Sequence, residues 1–151
     1  MIRKPAFAAS LALLLSACQS GVKQDPADGN VPGDSASTRP YDGIAEGETV
    51  RFTGTEPFWG GQATGTVLNY STPEKPDGQT ITVERFAGRN GVSFTGKLEG
   101  ESFSLAVTPG QCSDGMSDRA YPFHATLRVG DGIRSGCAWT EKQPFTGEAH
   151  P

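Results

Sequence analysis

Apolar and polar residues alternate with a period of two along the chain from residue 49 onward. Successive side chains of a β-strand point to opposite faces of a sheet, so this alternation predicts strands with one buried face. About seven such runs follow one another, a number and spacing typical of all-β domains. The runs cover residues 49–53, 62–71, 79–86, 92–98, 103–107, 123–129 and 133–139.

Turn-forming residues separate these runs. The chain has 20 glycines and 11 prolines, and Asn90-Gly91 is a strong signal for a tight hairpin. None of the runs has the period of an amphipathic helix. We therefore expect an all-β fold over residues 49–142. It would be a small antiparallel meander of about seven strands that closes as a barrel or a sandwich, because closure leaves no unpaired edge strand. Residues 143–151 are expected to form a flexible tail.

The N-terminal residues have the layout of an export signal. Arg3 and Lys4 precede an apolar run, residues 6–15, which is shorter than the roughly 20 residues that a membrane-spanning helix needs. Residues 15–18, Leu-Ser-Ala-Cys, resemble the lipobox of bacterial lipoproteins. The resemblance implies that residues 1–17 are a signal peptide and that Cys18 is acylated as the first residue of the mature chain. An ordinary secretory signal with a chance cysteine is the alternative.

The residues after Cys18 predict the location of the protein. Gln19 stands where an Asp would retain a lipoprotein at the inner membrane, so the resemblance implies the periplasmic face of the outer membrane. Residues 18–48 are predicted to be the acylated cysteine and a disordered tether, because Asp, Gly, Pro, Ser and Ala dominate them without apolar periodicity. Tyr41 and Ile44 are the residues of this segment expected to pack on the edge of the domain.

The charge of the mature chain argues against nucleic acid as a partner. Removal of Arg3 and Lys4 from the 13 basic residues leaves 11 against 17 acidic ones, a net charge near −6. Nucleic acids and anionic lipid surfaces are bound by clusters of Lys and Arg. The expected membrane association is therefore the lipid on Cys18, and the expected partner is an envelope protein or a small ligand.

Cys112 and Cys137 form the remaining pair once Cys18 carries the lipid. In an oxidising compartment such a pair predicts a disulfide. Two free thiols or a metal pair are the alternatives, and zinc is disfavoured because His124 and His150 are isolated in the sequence. No metal or cofactor is expected.

The last predicted strand suggests where this disulfide lies. Ile133, Cys137 and Trp139 share one face of that strand. The pattern predicts that this face is the inner one. The disulfide would then connect the last strand to the loop after Val107, near the mouth of the barrel.

Two segments interrupt the strand pattern, and both resemble a known family. They are residues 54–60, which contain GTEPFW, and residues 109–122, which contain CSDGMSDR followed by Ala, Tyr and Pro; a closing GCA stands at residues 136–138. These three motifs are similar to those of a family of uncharacterised bacterial envelope lipoproteins whose members resemble neighbours or fusion partners of META-type β domains. The resemblance covers about 90 residues and implies fold and location, but no reaction.

The first segment offers Glu56, Phe58 and Trp59 as candidate binding residues. In an extended chain, Glu56 and Phe58 point one way and Trp59 the other. Trp59 would fill the barrel with Glu56 at its rim, which is the favoured interpretation because aromatic residues dominate small cores. Alternatively, Phe58 and Trp59 form an exposed anchor for a partner.

The second segment adds Asp114, Asp118, Arg119 and Tyr121 as candidate binding residues. A catalytic interpretation pairs Asp114 or Asp118 with Glu56 as acid and base, with Arg119 holding an anion. The favoured interpretation is a loop organised by Asx and Ser turns, with Arg119 in a salt bridge to Asp118, Asp114 or Glu56, because no recognised spacing of nucleophile and base is present.

These observations favour a non-enzymatic lipoprotein for binding or envelope maintenance, without assigned catalytic residues. Its predicted binding surface is a rim built by residues 56–59 and 114–121. A hydrolase of envelope material that uses Glu56 and Asp114 or Asp118 is the first alternative. An inhibitor of a lysozyme or a protease is the second.

Overall fold

Eight antiparallel strands close into a barrel within residues 39–148, the part of the chain that the computed structural model describes. Strand order around the barrel follows the order in the chain. The predicted all-β class, antiparallel pairing and closure are confirmed, with eight strands instead of about seven. The strands are β1 (Val50–Gly54), β2 (Trp59–Thr64), β3 (Val67–Thr72), β4 (Lys75–Ala87), β5 (Val92–Leu98), β6 (Glu101–Ser113), β7 (Ala120–Val129) and β8 (Gly132–Thr140).

The additional strand is β2. The sequence pattern merged it with β3 into a single run, but the chain reverses at Gly65, which has a φ of 56°, and Thr64 then pairs with Val67. Strand β2 has little apolar signal of its own, since Gly60, Gly61 and Gln62 follow Trp59. Gly61 is required there because a Cβ atom would lie 1.9 Å from the carbonyl oxygen of Asn69 on β3.

The barrel interior is filled by side chains from the predicted inner faces of the strands. Phe52, Phe94, Phe103 and Phe123 are each at most 2% exposed, and they are surrounded by Leu68, Val83, Leu105, Val107 and Leu127. A Phe side chain buries on the order of 150–250 Å², so these four rings supply a large share of the apolar burial. Except for the last strand, the alternation therefore assigned the buried faces correctly.

One end of the barrel is covered by residues that precede β1. Ile44 is 1% exposed and belongs to the main core. The guanidinium of Arg85 donates to the carbonyl oxygen of Ile44 at 2.7 Å, and the N–H of Tyr41 donates to the carbonyl oxygen of Gly88 at 2.7 Å. The ordered domain thus includes residues 41–44 of the segment predicted as tether. The predicted signal peptide, Cys18 and the tether up to residue 38 lie outside the described residues.

The predicted disulfide joins Cys112 to Cys137, but it lies on the outer face of β8. Ala138 pairs with Phe123 of β7, and both are buried in the barrel core, so the neighbouring Cys137 faces outward. Ile133 is 60% exposed on the same outer face. The prediction that Cys137 faces the barrel interior was wrong. The apolar face of β8 that carries Cys137 is buried because other residues cover the outside of the barrel there, not because it faces the interior.

The cover is the end of the β6–β7 hairpin, residues 110–122, which we call the flap. The β6–β7 register shifts between Pro109 and Cys112. Beyond this shift the flap forms a second apolar cluster outside the barrel. Its members are Cys112, Tyr121 and Cys137, with Trp139 and Phe145 packed against them.

The chain after β8 packs on the flap. Thr146 pairs with Ala120 through two backbone hydrogen bonds of 2.8 and 3.0 Å, and the rings of Phe145 and Tyr121 lie 5.3 Å apart. These packed residues lie beyond the predicted domain boundary at residue 142. Residues 149–151 of the predicted tail are outside the described range. Among residues 39–148 there is no helix long and apolar enough to cross a membrane.

Candidate functional site

Asp114 organises the loop at the tip of the flap. Its Oδ1 accepts the backbone N–H groups of Met116 and Ser117, both at 2.9 Å. Its Oδ2 accepts the hydroxyls of Ser117 at 2.8 Å and Tyr121 at 3.1 Å. Both carboxylate oxygens therefore hold the loop in one conformation, as the Asx-turn interpretation of the sequence predicted.

These contacts keep Asp114 ionised. Burial alone raises the pKa of the carboxyl group, but the hydrogen bonds from Met116, Ser117 and Tyr121 outweigh burial and place the pKa below its ordinary value. A general base must accept a proton from a substrate, and both oxygens of Asp114 already accept hydrogen bonds from the loop.

Arg119 lies beside this loop with its guanidinium stacked on Phe145, at 4.4 Å from the ring centroid. Its Nε is buried and has no acceptor. The predicted salt bridge of Arg119 to Asp118, Asp114 or Glu56 was wrong, since none of the ion pairs among the described residues involves Arg119. Arg119 is near Tyr121, where burial raises the pKa of the phenol and Arg119 opposes that rise. The structure thus holds a cation at the flap that no carboxylate neutralises by direct contact.

The flap and the β1–β2 loop enclose a groove of about 250 Å³, which we call the flap groove. The flap side is formed by Asp114, Met116, Ser117, Arg119 and Tyr121. The barrel side is formed by Thr53, Thr55, Phe58 and Trp139. The hydroxyl of Thr55 donates to the backbone carbonyl oxygen of Asp114 at 3.2 Å and joins the two sides. The two segments that interrupt the strand pattern therefore meet in three dimensions.

Apolar side chains are exposed at the entrance of this groove. Phe58 is 55% exposed and Met116 is 59% exposed. Phe58 also lines an adjacent groove of about 270 Å³, whose other side is formed by Ser71, Thr72 and Pro73. Phe58 therefore lines two adjacent concave surfaces.

The predicted site residues divide into two groups. Phe58, Asp114, Arg119 and Tyr121 line the flap groove, whereas Glu56, Trp59 and Asp118 are not part of its lining. Trp59 is 3% exposed and packs against Phe52 inside the barrel, with ring centroids 5.9 Å apart. Glu56 and Asp118 are exposed. Of the first segment, the structure therefore places Phe58 in the groove and Trp59 in the core.

Some lining residues were not among the candidates from the sequence. Met116 stands inside the second motif, and its large apolar side chain in a polar loop was a usable signal. Trp139 could not be recognised, because the pattern assigned its face to the barrel interior. Thr53 and Thr55 look like ordinary strand-end residues, and only the fold of the flap brings them to the site.

The groove does not bring together the carboxyl groups predicted for acid–base catalysis. The predicted hydrolase would pair Glu56 with Asp114 or Asp118 as acid and base, and of these three residues Asp114 alone lines the groove. Within residues 39–148, no cluster of His, Cys, Asp and Glu could hold a metal ion. The groove is lined by three aromatic rings, a methionine and an arginine, together with the hydroxyl groups of Thr53, Thr55 and Ser117 and the carboxylate of Asp114.

Comparisons of the chain with protein-family models, with curated proteins and with solved structures find no match. The resemblance of the three motifs to an envelope lipoprotein family stays a prediction.

Proposed function

We propose that the protein is a lipoprotein of the outer membrane, facing the periplasm, whose barrel is a non-enzymatic binding module. The observation that carries the binding role is the meeting of two strand-interrupting segments in one groove. A barrel of this kind needs turns, but it does not need an exposed Phe or Met at those turns. Phe58 and Met116 are more than half exposed, so core packing does not account for them.

The composition of the flap groove supports a protein partner. Trp, Tyr, Phe, Met and Arg are enriched at the centres of protein interfaces, and Trp139, Tyr121, Phe58, Met116 and Arg119 all line this groove. The disulfide and the four hydrogen bonds to Asp114 hold the flap in place. A site held in this way loses less conformational entropy when a ligand binds.

The lipid anchor in this proposal depends on the N-terminal sequence. The lipobox at residues 15–18 supports acylation of Cys18, and Gln19 supports transfer to the outer membrane. The polar segment up to residue 38 would hold the barrel away from the lipid surface. The anchor is tested by incorporation of labelled palmitate in cells, which is expected for the native chain and not for Cys18→Ala. Equal labelling of both chains would contradict the anchor.

The binding role is tested by site-specific crosslinking in cells. A photo-reactive phenylalanine analogue replaces Phe58, and a matched variant carries it at Phe86, which is 68% exposed but does not line the groove. We expect defined crosslinked products from position 58 that are missing from position 86. Products that are the same at both positions, or missing from both, would refute the groove as a binding site.

A further inference from the structure

We propose that the flap groove binds a protein segment in which an Asp or Glu side chain stands next to a large apolar side chain. This inference rests on the proposed binding role and adds the chemistry of the partner. In the complex, the carboxylate would pair with Arg119, and the apolar side chain would lie between Phe58 and Met116. The full sequence has a net charge of −4, and the mature chain one near −6, so an acidic partner is recognised by a local cation and not by the overall charge.

The carboxylate specificity follows from the state of Arg119. A carboxylate binds a guanidinium through two parallel hydrogen bonds, and Arg is therefore the preferred residue for this kind of recognition. None of the ion pairs within residues 39–148 involves Arg119. Because its Nε is buried, a carboxylate in the groove would approach the two terminal nitrogen atoms of the guanidinium. The guanidinium carbon lies over the Phe145 ring, 4.4 Å from its centroid, and this contact restricts the side chain before a ligand arrives.

Asp114 does not take the place of that ligand. Its two oxygens accept hydrogen bonds from Met116, Ser117 and Tyr121, and these donors offset its negative charge within the loop. Asp114 and Arg119 therefore line the groove without forming an ion pair with each other. The cation is left available on the groove side of the flap.

The apolar part of the specificity follows from Phe58 and Met116. Both side chains are exposed, by 55% and 59% respectively, and both line the same groove as Arg119. Methionine is flexible and polarizable, so it adapts to apolar side chains of different shape. A sugar ring carries hydroxyl groups around its edge that neither Phe58 nor Met116 can hydrogen-bond, whereas an apolar side chain leaves no such group without a partner. These contacts favour a peptide over an acidic glycan.

The test uses three capped hexapeptides of equal length and the full chain. The first carries Asp beside Leu, the second carries Asn in place of Asp, and the third carries Ser in place of Leu. Dissociation constants are measured by fluorescence anisotropy at low ionic strength. We expect the first peptide to bind at least about tenfold more tightly than either of the others, because a charge-assisted pair or a buried Leu side chain contributes at least that factor.

Variants then locate the effect. Arg119→Gln is expected to reduce the affinity for the Asp peptide to that of the Asn peptide and to leave the affinity for the Asn peptide unchanged. Arg128→Gln, at an exposed position of β7, is the matched control and is expected to change neither affinity. An equal loss for both peptides in Arg119→Gln would indicate a purely structural role and overturn the inference.

Three other results would also overturn it. They are equal affinities of the native chain for the Asp and Asn peptides, no binding of any of the three peptides, and tighter binding of an acidic disaccharide than of the Asp peptide. The comparison of peptides on the native chain needs no variant, so a misfolded variant does not block it. Crosslinks at position 58 together with any of these results would leave the binding role standing and remove only the partner chemistry.

Discussion

Loss of the disulfide between Cys112 and Cys137 is expected to destabilise the protein by an amount that follows from the loop it closes. The two cysteines are 25 residues apart, and the chain-entropy relation then gives about 3.5 kcal/mol at 25 °C. Small domains have a total stability of roughly 5–15 kcal/mol. The double variant Cys112→Ala/Cys137→Ala should therefore fold, with a clearly lower free energy of unfolding.

The assay is guanidinium unfolding of the double variant and its parent, both in a Cys18→Ala background so that no other thiol interferes. Native-state hydrogen exchange then reports where the protein opens. Because the bridge attaches the flap to the outer face of β8, amides of residues 110–122 should lose more protection than those of β3 and β4. A destabilisation below about 1 kcal/mol, or a loss of protection that spares the flap, would refute this account of the disulfide.

Three further predictions concern stability, measured by denaturant unfolding. Asp114→Asn should cost about 1–3 kcal/mol at pH 7. Because the folded pKa of Asp114 lies below the unfolded value, this contribution is complete above about pH 4 and is lost as the pH falls through the folded pKa. A difference in free energy of unfolding between the native chain and Asp114→Asn that is as large at about pH 2 as at pH 7 would contradict this prediction. Gly61→Ala should lower the free energy of unfolding by more than about 2 kcal/mol, since the added Cβ meets the backbone of β3. Gly65→Ala places its Cβ in open space at a φ of 56° and should lower it by roughly 1 kcal/mol. Equal losses of stability in the two variants would contradict this prediction. Trp59→Ala should cost about 3–5 kcal/mol and Phe58→Ala less than about 0.5 kcal/mol; the reverse order would contradict the division between core and groove.

Much of the barrel was predictable because its walls have one apolar and one polar face. Phe103, Leu105 and Val107 alternate with Ser102, Ser104 and Ala106, and the first three are buried as expected. Where the interior is filled by large apolar side chains and the exterior meets water, the period of two identifies both the strand and its inner face.

The pattern failed in β8 for a physical reason. There the barrel interior is lined by Ala138 and Thr140, whereas the outer face carries Cys137 and Trp139. Hydrophobicity alone therefore selects the wrong face, because the outer face is covered by the flap and the inner positions are small. Only the long-range packing of residues 110–122 and 145–146 resolves this choice.

The candidate site was predictable as two segments but not as one groove. Breaks in the alternation identified residues 54–60 and 109–122, which are separated in the chain by the 48 residues 61–108. Their meeting depends on the register shift in β6 and on a disulfide on the outer face. Local pattern carries no information about either feature. For this reason Met116 and Trp139 entered the site only with the structure.

The central claim is that the flap groove is the binding surface, and Met116 is the most direct probe of it. The chain contains two methionines, and the other one, Met1, lies in the predicted signal peptide. A protein labelled with ¹³C at the methionine methyl groups therefore reports the groove through one methyl signal of the mature chain. Addition of the partner that crosslinks at position 58, or of the Asp–Leu peptide, should shift or broaden that signal. A Met116 signal that stays unchanged while either of them is bound would contradict the claim.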